Sequence, residues 1–129
     1  MTNKVYRKIL EKRYVHAADI HRAVMAKRDN GESYETRQQI QRALPCKYSQ
    51  TAMPVVNYPE GRPAVSYESK LFCAPEADIL PGDVIVVHKS PASKDEYIAG
   101  EPCWWNLEGV ATQEEATHAE VPLRKAKTV

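Results

Sequence analysis

Tyr67–Val87, YESKLFCAPEADILPGDVIVV, reads as two strands joined by a turn. In the first, Val65, Tyr67, Ser69, Leu71 and Cys73 fall on one face and Ser66, Glu68 and Lys70 on the other. This is period-two alternation, and Phe72 breaks it. In the second, Val84–Val87 is four β-branched residues in succession, the pattern of a strand covered on both faces. Between them Pro75, Pro81, Gly82 and Asp83 supply turn chemistry, proline by presetting φ and glycine by accepting positive φ. The stretch predicts a β core, and it holds no catalytic pattern.

On its N-terminal side lies YSQTAMPVVNYPEGRPAVS, residues 48–66, with Pro54, Pro59, Pro63 and Gly61. It reads as a loop of unusual length for a small domain, and such loops are functional or disordered. Met53, Val55, Val56 and Tyr58 are apolar and charges are few, which argues against plain disorder. Ordering the loop costs roughly 1–2 kcal/mol per residue, so contact with another chain is expected to order it. Further back, residues 15–47 are ambiguous. Ala17–Ala26 is rich in helix formers and Tyr34–Leu44 tolerates a helix, so propensity leaves a helical pair and a hairpin nearly even. A long two-stranded hairpin is preferred because Asn30-Gly31 is the favoured type I′ pair and both flanks alternate. Ala18, Ile20, Val24 and Ala26 share one side; Tyr34, Thr36, Ile40, Leu44 and Cys46 share another, and Pro45 closes the run.

The first residues, TNKVYRKILEKRY, predict a short amphipathic helix capped by Thr2 or Asn3, with Val5, Tyr6, Ile9 and Leu10 as its stripe. Its other surface carries Lys4, Arg7, Lys8, Lys12 and Arg13 against Glu11 alone. That surface suits an acidic partner or phosphate, although a solvated face is the commoner meaning of such a run. After the central stretch come a polar turn at Ser90–Glu96, a short strand at Tyr97–Ala99, and EPCWWN with both tryptophans. An exposed Trp104–Trp105 pair could stack bases or sugars. With no basic cluster beside it, one ring in the core and one at a subunit contact is favoured. Strands near Leu107–Ala111 and Glu120–Arg124 follow, and residues 125–129 are expected to fray.

At 129 residues the length suits one domain, and a net charge of +1 gives no bulk reason to bind nucleic acid or an anionic membrane. No run approaches the roughly 20 apolar residues of a membrane span, so no membrane partner is expected. The start, MTNKVYRKIL, lacks a signal peptide's apolar region and cleavage site, which predicts a protein that is cytosolic where it is made. Cys46, Cys73 and Cys103 show no metal-ligand spacing and predict free thiols used as small hydrophobes. No nucleophile elbow, no H-E-x-x-H and no phosphate-cradling glycine loop occurs. His16 and His21 are too far apart to share a helix face, and Glu114-Glu115 sits in polar sequence. Neither catalytic residues, a metal nor a cofactor is predicted, and the chain is not expected to be an enzyme.

The order of features resembles a known family. A basic N-terminal helix (KVYRKILEKRY) precedes a hairpin ending in LPCKYSQ, a proline-bearing loop, the central stretch, IAGEPCWW and THAEVPLRK. This is similar to the head-closure, or stopper, proteins of the siphovirus-type bacteriophage head–tail connector, over about Val5 to Lys125. Pro45-Cys46, Lys70–Pro75, Pro81–Asp83 and Thr117–Val121 carry the likeness through their order and spacing. The resemblance implies a mainly β fold: a small antiparallel β-barrel with a short N-terminal helix and a long loop between the second and third barrel strands. It implies a homo-oligomeric ring, twelve copies in the assembled connector, between a portal or adaptor on the head side and a tail or tail-terminator protein on the other. The loop, here Met53, Pro54, Val55, Val56, Asn57 and Tyr58, would project into the channel and retain packaged double-stranded DNA without reading its sequence. Lys4, Arg7, Lys8, Trp104 and Trp105 are then candidate subunit or partner contacts. The protein would reside at the head–tail interface of the virion and in the host cytoplasm during assembly. Two departures stand: Ala17–Ala26 is less strand-like than the family pattern, and Cys103-Trp104-Trp105 is heavier. The alternatives are another connector role, adaptor or tail terminator, or a small barrel that binds single-stranded nucleic acid or a small ligand through Trp104, Trp105 and the basic helix.

Overall fold

A computed structural model describes residues 2–54 and 65–125, and the side chains of all of these except 52–54 and 65–67. The chain opens with helix α1, Asn3–Glu11, whose first turn is capped by the Thr2 hydroxyl accepting from the Val5 N–H at 3.3 Å. Eight strands follow: β1 (His16–Lys27), β2 (Ser33–Pro54), β3 (Val65–Cys73), β4 (Val84–Ser90), β5 (Ser93–Ala99), β6 (Cys103–Asn106), β7 (Gly109–Val110) and β8 (His118–Lys125). The expected mainly β architecture with one short N-terminal helix is what forms.

All pairings are antiparallel, and six strands close on themselves in the order β3-β2-β1-β4-β5-β8, with β8 returning to β3. β6 continues along β8 beyond β5, and β7 hangs on β6. Every strand of the cycle sends two or three alternate residues into one interior: Ala18 and Ile20, Leu44 and Cys46, Leu71 and Cys73, Ile85 and Val87, Tyr97 and Ala99, then Ala119, Val121 and Leu123. Alanines and thiols alternate there with branched side chains because a six-stranded interior is narrow. That answers the ambiguity of Ala17–Ala26. Ala18 is small because it faces this interior, and cross-strand packing overrides its helix propensity.

Several expectations need correction. The segment 48–66 is not a loop throughout: Tyr48–Pro54 pairs with Val65–Leu71, and only residues 55–64 lie outside the described strands. Met53 and Pro54 are therefore strand residues, and Pro54 is tolerated because it is the last of its strand. The Asn30-Gly31 turn is not type I′. Arg28 N–H donates to Glu32 C=O and Gly31 N–H to Arg28 C=O, so the turn spans Arg28–Glu32 with Gly31 alone at positive φ (88°). Val84 and Val86 are half-buried, so β4 is covered on one face and only partly on the other. The polar turn after β4 is just Pro91-Ala92, since Ser90 already pairs with Ser93. β6 was not foreseen as a strand; CWWN lacks alternation because one tryptophan faces each way.

Two polar clusters lock the cycle. Asp83 is 2% exposed and receives Arg22 Nε and Nη2 at 3.0 and 2.9 Å and the Leu80 N–H at 2.8 Å, while the same Nη2 reaches Asp78 at 3.0 Å. The Pro81-Gly82-Asp83 motif thus has distinct parts: Gly82 supplies φ +92° and Asp83 ties the turn to β1. The second cluster holds a β-bulge, where β1 and β2 slip register between Ala18 and His21. Ala43 there adopts φ 54°, held by its N–H donating to Asp19 Oδ1 at 2.8 Å, while Asp19 Oδ2 meets His88 Nε2 at 2.9 Å. Burial of Asp19 opposes its ionisation, but the Ala43 and His88 bonds outweigh that and hold its carboxyl below the usual range.

Candidate functional site

The outer face of β2, β3, β8 and β6 carries the residues singled out from the sequence. Phe72, which breaks the alternation of β3, points outward here and stacks at 6.2 Å on His118. Helix α1 lies over this face by half of the stripe expected. Val5 and Ile9 are 49% and 40% exposed, whereas Tyr6, Leu10 and Tyr14, spaced one turn apart, turn toward the sheet. A cavity of about 290 Å³ lies beneath them, with Phe72 and His118 on its floor and Arg13, Lys47 and Ser49 at its rim. Among the described residues Arg13 and Lys47 make no ion pair. The Tyr14 hydroxyl is buried with no hydrogen-bond partner there, and that burial pushes its phenol up.

The predicted contact residues separate. Arg7 is already engaged, paired with Glu76 and, at 3.3 Å, with Glu11. The Glu76 hydrogen bond raises the guanidinium and lowers the carboxyl. Lys4 and Lys8 are exposed, and Lys4 lines a cleft with Glu114 and Glu115. Trp104 packs on the interior, whereas Trp105 lies outward in a shallow cleft with Glu68, Glu101, Glu120 and Cys103. Successive residues of a strand face opposite sides, so the two rings form no common stacking platform. Of the channel-loop residues, Met53 and Pro54 end β2, and Val55, Val56, Asn57 and Tyr58 lie outside the described residues.

Cys46 and Cys73 are direct cross-strand neighbours, both fully buried and unbridged, and burial pushes each thiol up to about 12. They serve as the small interior hydrophobes expected of them; Cys103 is half-buried and also free. No group of three His, Cys, Asp or Glu side chains that could hold a metal occurs among the described residues. His118 meets Glu120 at 3.3 Å and the Thr117 hydroxyl at 3.3 Å, which orients its ring over the cavity. Sequence reasoning missed the convergence of Arg13, Lys47 and His118, and the only sign of it was Phe72 out of phase. No helix among the described residues is long and apolar enough to cross a membrane. No family model, curated protein or solved structure matches this chain.

Proposed function

We propose that the chain is a structural component of a phage or prophage head–tail connector, assembling as a ring below the portal or adaptor, closing the head exit channel, retaining DNA and offering the tail its attachment surface. One observation carries this reading: β2 and β3 run on beyond their other neighbours. β1 leaves β2 at Cys46 and β8 leaves β3 at Ser69, so among the described residues Thr51–Pro54 and Val65–Glu68 pair only with each other. The closed strand cycle, read as a small antiparallel barrel, thereby extends one hairpin from its body. Residues 55–64, with Val55, Val56 and Tyr58, follow β2 and precede β3 in the sequence, and the stopper reading assigns them the channel loop.

The competing reading, a binder of single-stranded nucleic acid, has less support. Trp104 and Trp105 face opposite ways, and the cleft of Trp105 sets three carboxylates, Glu68, Glu101 and Glu120, against the single cation Lys70, a net negative charge that disfavours phosphate. The test is to tag the chain in its source strain, induce particles and image the label. The reading expects label at one junction between head and tail. It also expects a chain lacking residues 55–58 to enter particles whose heads have lost their DNA. Absence of the label from particles, together with a mobility shift of the free protein on oligonucleotide, would overturn this reading in favour of the binder.

A further inference from the structure

At its other end β2 forms a second ribbon, with β1. β4 accompanies β1 only from Ala17 to His21, and β3 accompanies β2 only from Cys46 onward. Residues 22–27 and 33–38 therefore pair with each other alone among the described residues, an arm about 20 Å long at the usual strand rise. A lone two-stranded ribbon is marginal in water. Its base is pinned by Arg22 to Asp83, and Arg37 adds an exposed ion pair with Glu96 at 3.3 Å.

The direction of each backbone group follows from the turn. Arg28 N–H donates to Glu32 C=O across the hairpin, so Ala26, Val24 and Arg22 also turn their N–H and C=O inward. Ala23, Met25 and Lys27 turn theirs outward on one edge, and Ser33, Glu35 and Arg37 on the other. The first edge is unguarded: Ala23-Val24-Met25-Ala26 has no charge, proline or bulge, and Met25 is 69% exposed. Native edges are normally blunted by one of these devices.

We propose that a second copy of this chain covers that edge: Ala23–Lys27 of one arm pairs antiparallel with Ser33–Arg37 of the next copy's arm. The proposal rests on the ring reading above and names the contact that would join its subunits. The two edges of one ribbon run antiparallel, so copies related by rotation alone present each other with antiparallel partners. In the register of the hairpin itself, Lys27 meets Ser33, Met25 meets Glu35 and Ala23 meets Arg37 of the next copy. Lys27 and Glu35 then lie diagonally on one face, and Val24 and Ala26 flank Tyr34 and Thr36 on the other. Pairing two β1 edges about Met25 instead sets Arg22 against Arg28 and stops at two copies with an edge of each arm left bare. Pairing unlike edges continues from copy to copy, the head-to-tail contact that a ring requires.

Met25→Pro tests this selectively, because it removes an outward N–H and spares every bond within the hairpin, whereas Val24→Pro breaks the hairpin itself. Sedimentation of the wild-type chain should show mass rising with concentration. Met25→Pro should associate about tenfold more weakly or worse while melting as the wild type does. Chains carrying Met25→Cys and Glu35→Cys, each also Cys103→Ser, should cross-link on oxidation when mixed and far less alone. Association undiminished by Met25→Pro, or cross-links equally strong within one variant, overturns the edge pairing while the ring reading stands. A wild-type chain monomeric at every concentration also overturns it, and the labelled particles then decide the ring reading separately.

Discussion

The body of the strand cycle and the β1–β2 arm are built from the same two strands, yet different forces hold them. From Ala17 to His21, β1 has a neighbour on each side and its Ala18 and Ile20 are fully buried. From Ala23 to Lys27 it has one neighbour, and no residue there is buried. In the body, burial sets the register, since a slip of one residue would turn Ile20 to water. In the arm only hairpin bonds and a turn set it. A strand that continues where its burial stops needs another reason to continue, and the proposed pairing with a second copy would supply one.

The largest contrast should come from apolar truncation. Leu71→Ala, in the interior, should cost about 3–4 kcal/mol, measured by denaturant unfolding. Met25→Ala on the arm should cost under about 0.5 kcal/mol. Comparable losses would mean that the arm is packed in the free chain. Next comes the arm's root: Asp83→Ala leaves the Arg22 guanidinium with the exposed Asp78 alone and the Leu80 N–H without its acceptor, and should cost about 3 kcal/mol. A loss below about 1 kcal/mol would reduce the cluster to surface decoration.

The interior thiols make a pH prediction that the arm, free of cysteine, does not share. Their folded-state pKa values are raised to about 12 by burial, above the ordinary value near 8.5. Their contribution is complete below the unfolded value and is lost as pH rises toward 12, because the unfolded chain ionises first. Stability should fall between about pH 9 and 12, by about 1.4 kcal/mol per pH unit per thiol at the steepest. Cys46→Ala and Cys73→Ala should each flatten that slope; an unchanged slope assigns the alkaline loss to other groups. The smallest expected effect has the opposite sign. Ala43 holds φ 54° in the bulge between body and arm, so Ala43→Gly should raise stability by up to about 1 kcal/mol. Destabilisation would show that the Ala43 side chain contributes packing that outweighs its strain.

The difference between body and arm also explains what was legible in the sequence. The strands of Leu71 and Cys73 and of the Val84–Val87 run, and the Gly82 turn between them, are imprinted by burial and steric demand, and their existence reads directly, although the cover of β4 on its second face does not. The reach of β2 past Tyr48 did not, because Pro54 and the absence of a core face look like a loop when only one chain is considered. β6 was hidden for a related reason, with Trp104 on the interior and Trp105 in the acidic cleft, so both faces look apolar. At the candidate site, the basic helix and half of its docked face, Tyr6 and Leu10, were legible. Tyr14 joins them from beyond the helix end at Glu11, which helical spacing alone does not show. The Arg7–Glu76 pair joins residues far apart in sequence and left no local sign.

Amide hydrogen exchange distinguishes a strand cycle that folds alone from an arm that waits for a second copy. In dilute protein the inward amides of Ile85 and Val87 should be protected to the level of global unfolding, and those of Ala23, Met25 and Lys27 should exchange freely. At concentrations where the chain associates, the amides of Ala23, Met25 and Lys27 should gain protection together with those of Ser33, Glu35 and Arg37, while the body is unchanged. Protection of the arm's outward amides already complete in the dilute monomer, or none gained on association, would contradict the account.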